Sequence, residues 1–365
     1  MNEKYMKRAL ELAKKGWGRT NPNPLVGAVI VKNGVIVGEG AHEKIGSYHA
    51  EVNALNRAGD KAKGAEIYVT LEPCSHYGRT PPCAKALIEA GVSKVIVAMT
   101  DPNPKVSGRG LNMLKEAGID VDVGIMEKEA KELNEIFIKY ITRKLPFVMM
   151  KYAMSLDGKI AARTGDSKWI TGEGARRYVH EIRDRVAAIM VGVNTVKADN
   201  PSLNTRLEDK KSSDPVRIIV DSKGTIPIES NVLNIRSDAQ TFIATTDLIS
   251  REKEEMLKGK GAKVIKSGSG EGKVDLQGLM VQLYDLGIDS VLLEGGSTLN
   301  AAAIEAGIVD KALVFIAPKL IGGVQAPGPI GGKGVEKVKD AWQIYHTNVK
   351  QFEQDLLIEG YFRKG

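Results

Sequence analysis

Cysteine is almost missing from this chain: two residues in 365, against 39 glycines and 14 prolines. Two thiols cannot make a disulfide framework, so the fold must be held by apolar cores, and a reducing compartment would keep both free. Aromatic residues make up only 5%, too few for an extended base-stacking platform. Long apolar runs are missing as well. The stretches around Val26–Val31 and Ala187–Val191 fall far short of the ~18–20 residues that span a bilayer. The opening MNEKYMKRALELAKKG mixes charge with Leu and Ala at helical spacing, unlike a signal peptide. There is no polybasic block either. The 52 Lys and Arg exceed the 45 Asp and Glu by seven, and the excess is spread as +5 before residue 145 and +2 after it. These absences exclude a secreted disulfide scaffold, a membrane span and a basic nucleic-acid arm. They lead us to expect a soluble, cytoplasmic α/β protein acting on small molecules, with neither membrane nor nucleic acid as partner.

With 42% hydrophobic residues the chain can bury sizeable cores, and its length suggests two domains. Tyr5, Ala9, Leu12 and Ala13 share one helical face, and Gly16 ends that helix. Val26–Val31 and Val35–Gly38 read as strands joined by Lys32-Asn33-Gly34, an Asn-Gly hairpin signal. Next come a helix over His49–Ala58, a strand at Ile67–Thr70, a helix after Pro81-Pro82, a strand at Lys94–Ala98 and a helix over Gly110–Ala117. Glu127–Lys144 reads as one helix. Pro146 disfavours helix at Leu145, which puts a boundary there: residues 1–145 and 146–365. Beyond it we expect strands at Phe147–Ser155, Ala188–Val191, Val216–Val220, Thr241–Ala244, Lys263–Ile265, Ser290–Leu293 and Ala312–Ile316, with Leu356–Phe362 as an antiparallel edge strand.

The two scarce cysteines lie in one loop, nine positions apart, and a histidine with ligand potential precedes them. His49 opens His-Ala-Glu, Cys74 follows Pro73, and Cys83 follows Pro81-Pro82 at an expected helix start, where the helix dipole favours a thiolate. One imidazole and two thiolates fill three positions of a tetrahedral zinc site and leave the fourth to water. Glu51 could face that water without ligating. This is the chemistry of hydrolytic deamination, in which the metal makes a nucleophile of water and a carboxyl group carries a proton to departing ammonia.

The general deaminase signature spaces its cysteines as Cys-x-x-Cys, whereas here eight residues, Ser75 to Pro82, intervene. With that loop, TLEPCSHYGRTPPC, TNPNPLVGAVIV and DPNPKVSGRG resemble the deaminase half of the bifunctional riboflavin-biosynthesis deaminase/reductases, the RibD/RibG family. The resemblance implies a cytidine-deaminase-like α/β/α sandwich, with Asn23, His42, His76, Arg79, Asp101 and Asn103 contacting the substrate. Some members carry lysine at the position of Arg79, which keeps the charge and changes its geometry.

The second half is less specific by itself. No G-x-G-x-x-G occurs, and Gly268–Lys273 fails the phosphate-loop pattern because Val274 stands where Ser or Thr is required. The strand-to-helix turn Glu294-Gly295-Gly296, followed by Ser297, could cradle a phosphate or could be an ordinary turn. Here too the resemblance supplies the rest. KYAMSLDGKIA, Ser167–Thr171, VGVNTVKADNPSLNTR and LLEGGSTLN are similar to the reductase half of the same family. That implies a dihydrofolate-reductase-like domain using NADPH. Ala153, Trp169, Thr195, Asp199, Ser222 and Gly296 would line the cofactor; Lys151, Ser167, Arg183, Leu203, Arg206 and Glu294 would contact the substrate. The implied activity is deamination of 2,5-diamino-6-(5-phosphoribosylamino)pyrimidin-4-one, then reduction of the product's ribosyl group to ribityl. The family also implies self-association. A nucleic-acid base deaminase with a binding domain, or a zinc-stabilised nucleotide-binding regulator, would use parts of the same pattern. Glu51 separates the last of these, because a structural metal site has no need of a carboxylate beside an open position.

Overall fold

Asn33 and Gly34 both take positive φ, 51° and 77°, the left-handed pair that a two-residue hairpin turn requires. In this computed structural model, which describes residues 3–77, 81–104, 106–208, 212–268 and 270–362, they join β1 (Gly27–Lys32) to β2 (Val35–Ala41). The chain forms two compact units, dividing between Lys144 and Leu145.

The first unit opens with α1 (Glu3–Ala13), whose Tyr5, Ala9, Leu12 and Ala13 are all buried. After the hairpin come α2 (Ala50–Ala58), β3 (Glu66–Val69), α3 (Cys83–Glu89), β4 (Lys94–Val97), α4 (Arg109–Glu116) and β5 (Asp120–Val123). The five strands lie in the order β2-β1-β3-β4-β5, with β3, β4 and β5 parallel. Glycines let helices reach both faces of the hairpin. Gly27 pairs with Ala41 and Gly40 with Ala28, so Gly27 and Gly40 face opposite sides of the sheet. A Cβ at Gly27 would overlap the carbonyl of Ala9 in α1, and one at Gly40 would overlap that of Ala50 in α2. The backbone of α2 therefore rests directly on β2, and this contact fixes where the helix, and His49 before it, begins.

Two expectations are corrected here. The short, half-exposed Asp-Val-Asp-Val edge strand β5 was not foreseen. The helix expected over 127–144 is two helices, α5 (Glu127–Leu133) and α6 (Glu135–Arg143), broken at Asn134. Asn134 is buried; its side chain accepts from Leu25 N–H at 2.8 Å and donates to Leu25 C=O at 3.0 Å. Those bonds to a distant loop hold it off helical geometry, and periodicity along 127–144 carries no trace of them.

The second unit runs β6 (Phe147–Ser155), α7 (Glu173–Arg183), β7 (Ala188–Gly192), α8 (Val193–Asp199), β8 (Val216–Val220), α9 (Asn231–Asn234), β9 (Thr241–Thr245), α10 (Arg251–Gly259), β10 (Lys263–Lys266), α11 (Leu276–Asp285), β11 (Ser290–Leu293), α12 (Ser297–Glu305), β12 (Lys311–Ala317), β13 (Ile344–Phe352) and β14 (Asp355–Phe362). Its sheet has the order β10-β9-β8-β7-β11-β6-β12-β14-β13, parallel as far as β12 and antiparallel beyond. Successive strand residues feed different cores. Ala188 and Met190 pack with α11 and α12, whereas Ile189 and Val191 pack with α8 and α10. Neighbouring β7 and β11 thus send their following helices to opposite faces, which opens a crevice at their carboxyl ends. The strand expected at Leu356–Phe362 exists but is not the edge. The unforeseen β13 lies outside it, too exposed along its length to show apolar alternation.

We expect Gly40→Ala to lift α2 from β2, to destabilise the protein by about 3 kcal/mol, the upper range for overpacking, and to weaken metal retention. Thermal unfolding with metal quantification checks this; a wild-type melting profile would show that the contact can relax.

Candidate active sites

Three strand and helix ends meet in the first unit. His49 is the residue before α2, Cys74 lies in the segment after β3, and Cys83 is the first residue of α3. Their ligand atoms all lie within 4.8 Å of one another, with His49 Nδ1 3.2 Å from Cys83 Sγ and 3.6 Å from Cys74 Sγ. Zinc bonded at 2.0–2.3 Å gives tetrahedral edges of roughly 3.5–3.8 Å, so the donor set and its spacing fit that ion. The thiols act as a pair. Cys74 is pushed down to about 4, chiefly by its bond with Cys83 and also by His49, while Cys83 is pushed up, chiefly by Cys74 and by burial. The Cys83 N–H also points at Cys74 Sγ, 3.3 Å away, and a zinc ion would take both sulfurs as thiolates. The Cys74 sulfur in turn raises the His49 pKa.

Glu51, in the first turn of α2, is buried beside these donors. Burial, reinforced by Cys74, pushes its carboxyl up to about 7; a bound divalent cation would act in the opposite direction. Among the substrate candidates, Asn23 Nδ2 lies 3.3 Å from His42 Nε2, and the His42 ring stands edge-on to His49 with centroids 5.4 Å apart. His42 is buried, which lowers its pKa, and its Nδ1 faces the Tyr48 carbonyl at 3.2 Å. That contact puts the proton on Nδ1 and leaves Nε2 to accept from Asn23. Asp101 Oδ1 accepts from Asn103 N–H at 2.8 Å, and burial raises the Asp101 pKa while His76 opposes the shift. His76 itself is exposed. Arg79 lies outside the described residues.

In the second unit Glu294, directly after β11, receives both arms of Arg183, at 2.7 and 3.0 Å, and lies 3.6 Å from Lys151 Nζ. Burial alone would raise the Glu294 pKa, but Arg183 and Lys151 outweigh it and hold the carboxyl at about 2. The remaining Arg183 nitrogen donates to the Asn204 carbonyl at 3.0 Å. Arg183 is thereby committed within the protein. Arg206 is the exposed guanidinium of the two, bonded to Asn204 Oδ1 at 2.7 Å. Its backbone N–H donates to His180 Nδ1 at 3.2 Å, and burial with Arg183 and Arg206 nearby pushes His180 down to about 4. Leu203 is buried at φ 52°, one residue before Asn204.

The cofactor candidates collect around the crevice. Gly296 caps α12 without a side-chain bond, and a Cβ there would lie 3.6 Å from Thr195 Oγ1. Thr195 and the exposed Asp199 are one turn apart on α8, while Ser222 follows β8 and accepts from Val274 N–H at 3.2 Å. An uncapped helix start in such a crevice suits a dinucleotide pyrophosphate, so these residues fit NADPH. Ala153 sits on β6. Ser167 and Trp169 share the loop before α7, and Trp169 is 61% exposed with the Arg176 guanidinium 4.8 Å over its ring, not packed in a core. Sequence reasoning passed over Glu72, His180 and Asn204; only Glu72 carried a signal, its place two residues before a ligand cysteine.

Residues 1–99 match the family model of the cytidine and deoxycytidylate deaminase zinc-binding region, and residues 146–358 match that of the RibD C-terminal domain. Zinc and NADPH are the cofactors that these two domains imply. The riboflavin biosynthesis protein RibD of Actinobacillus pleuropneumoniae is 50% identical over 97% of this chain and 94% of its own length. That of Escherichia coli is 43% identical over 98% of each. The structure of Acinetobacter baumannii RibD matches with a TM-score of 0.88 at 38% identity, covering 99% of both chains. That of the Thermotoga maritima diaminohydroxyphosphoribosylaminopyrimidine deaminase/5-amino-6-(5-phosphoribosylamino)uracil reductase matches at 0.86 and 38%, covering 99% and 98%. No helix among the described residues is long and apolar enough to cross a membrane. The chain belongs to the RibD family, the bifunctional deaminase/reductases of riboflavin biosynthesis.

Proposed function

We propose that residues 1–145 deaminate 2,5-diamino-6-(5-phosphoribosylamino)pyrimidin-4-one and that residues 146–365 reduce the ribosyl group of the product, with the side chains in the following roles. The observation that carries the deaminase assignment is the convergence of His49, Cys74 and Cys83 beside the buried carboxyl of Glu51. His49 Nδ1 and the two sulfurs hold zinc, which supplies an acidified water as nucleophile. Glu51 takes a proton on its carboxylate from the attacking water and returns it to the departing amino group. Burial raises the pKa of this carboxyl and a bound cation would lower it. Asn23 and His42 form one wall of the pocket, Asp101, Asn103 and His76 another, and Arg79 belongs to the same recognition set.

In the reductase, bound NADPH would be the hydride donor for the aldehyde form of the opened sugar. Thr195, Asp199, Ser222 and Gly296 hold the dinucleotide, with Ala153 and Trp169 flanking it. Glu294 and Lys151 face the sugar; Arg183 orients Glu294 instead of binding phosphate, and Arg206 takes the phosphate, aided by Ser167 and the Leu203 turn. The enzyme works in the cytoplasm on freely diffusing small molecules and self-associates. Exposed strand β13, the outermost of its sheet, supports pairing between copies.

Glu51→Gln is expected to lower kcat for ammonia release by about 10²–10⁴-fold while zinc content and NADPH oxidation on the deaminated intermediate stay at wild-type levels. Ammonia release within threefold of wild type would remove Glu51 from the mechanism. Chelating the metal should stop ammonia release and spare the reductase. Arg206→Ala should raise the reductase KM by roughly tenfold, the loss of one charge-assisted contact; an unchanged KM would return the phosphate to Arg183. Light scattering on the purified chain should give a mass above 39.5 kDa, and a monomer at micromolar concentration would reject self-association.

A further inference from the structure

We propose that Glu72 is a positioning residue of the deaminase, its carboxylate tying the segment that ends in Cys74 to the segment that carries Asp101 and Asn103. Glu72 is buried, 3% exposed, and both its oxygens are used. Oε2 accepts from the N–H of Asp101 at 3.1 Å and of Gly108 at 3.0 Å, and Oε1 accepts from the N–H of Gly110 at 3.0 Å. Its own N–H donates to the Met99 carbonyl at 3.0 Å. One side chain thus holds both ends of the 101–108 loop and the first turn of α4, from two residues before a metal ligand.

The surroundings require this arrangement. Gly108, the residue capping α4, has no side chain to satisfy the N–H groups at that helix start; the Arg109 N–H goes to the Val106 carbonyl, and Glu72 takes those of Gly108 and Gly110 across 36 and 38 residues of sequence. A Cβ at Gly110 would overlap the carbonyl of Pro73, so the two segments touch backbone to backbone. Only a carboxylate accepts at both oxygens with no donor of its own; a glutamine would turn an NH₂ toward at least one of these N–H groups. The bonds are charge-assisted, about twice as strong as neutral ones. The distance from Cys74 to the Asp101–Asn103 turn is therefore set by a rigid connection. The inference rests on the reading that Asp101 and Asn103 bind the substrate. If they do, Glu72 determines where the substrate-binding groups stand relative to the metal ligands without touching the pyrimidine itself.

The test uses the full-length zinc enzyme with Glu72→Gln and, beside it, Asp101→Asn. For Glu72→Gln we expect the deaminase KM to rise about tenfold or more, kcat to change less, and zinc stoichiometry and reductase turnover to stay at wild-type values. A fall in kcat that follows lost zinc, at unchanged KM, would make Glu72 a residue of the fold alone and overturn the proposal. So would unchanged kinetics. If Asp101→Asn leaves KM untouched, the substrate reading itself fails; if it raises KM while Glu72→Gln does not, only the role of Glu72 fails. Should Glu72→Gln not fold, hydrogen exchange on the wild-type protein decides. Slow exchange of the Asp101, Gly108 and Gly110 amides is expected, and exchange at the rate of an open loop would overturn the connection.

Discussion

Two thiolates and an imidazole grip one tetrahedral ion only if their donor atoms converge to within a few ångströms, and this chain draws those atoms from residues 25 and 34 positions apart. Much of the first unit serves that spacing. Gly40 brings α2 onto β2 and so places His49. The parallel pair β3 and β4 carries Cys74 out of the sheet and then brings the chain back, while α3 begins at Cys83 with its first N–H directed at the Cys74 sulfur. The same junctions put Glu51 in the first turn of α2, where it is buried beside the donors.

Glu51 and Glu294, one in each unit, are shielded glutamates whose ionisation is driven in opposite directions. Glu51 meets sulfur and loses water, so its neutral form gains. Glu294, its side chain 12% exposed, is also largely withdrawn from water, yet Arg183 and Lys151 make its carboxylate the stable form down to about pH 2. Burial is common to both, and the sign of the neighbouring charge decides. One carboxyl is able to exchange a proton; the other is a fixed negative charge that organises two cations. Both glutamates lie near junctions between regular elements, Glu51 just inside α2 and Glu294 just past β11. There the backbone leaves N–H groups and side chains facing outward, and a parallel sheet gathers several such junctions along one edge.

Legibility in the sequence followed the range of the interaction. The Asn33-Gly34 hairpin, the apolar face of α1 and most parallel strands are local patterns, and they stand where periodicity puts them. The break at Asn134 depends on Leu25, 109 residues away, and cannot be seen along 127–144. Strands β5 and β13 are half or fully exposed, so the alternation that reveals a strand is missing. Glu72 is marked in sequence only by its place two residues before Cys74; what it holds, the N–H groups of Asp101, Gly108 and Gly110, is set by folding across 29 to 38 residues. Trp169, a cofactor candidate only by resemblance, is exposed and stacked by Arg176, a contact that nothing local in the sequence announces.

By itself the sequence determined the parts and their order: one histidine and two cysteines in a spacing that leaves a metal position open, a glutamate beside the histidine, and two runs of alternating strands and helices parted by Leu145-Pro146. Those are properties of residue type and near-neighbour spacing, which chain chemistry alone sets. Tertiary structure decided that both sulfurs and His49 come within ligand distance of one another, that Arg183 is spent on Glu294 while Arg206 stays exposed, and that Asn23 meets His42. Each of these depends on the distance between groups far apart in the chain, and Coulomb and hydrogen-bond energies change steeply over the few ångströms that only packing fixes.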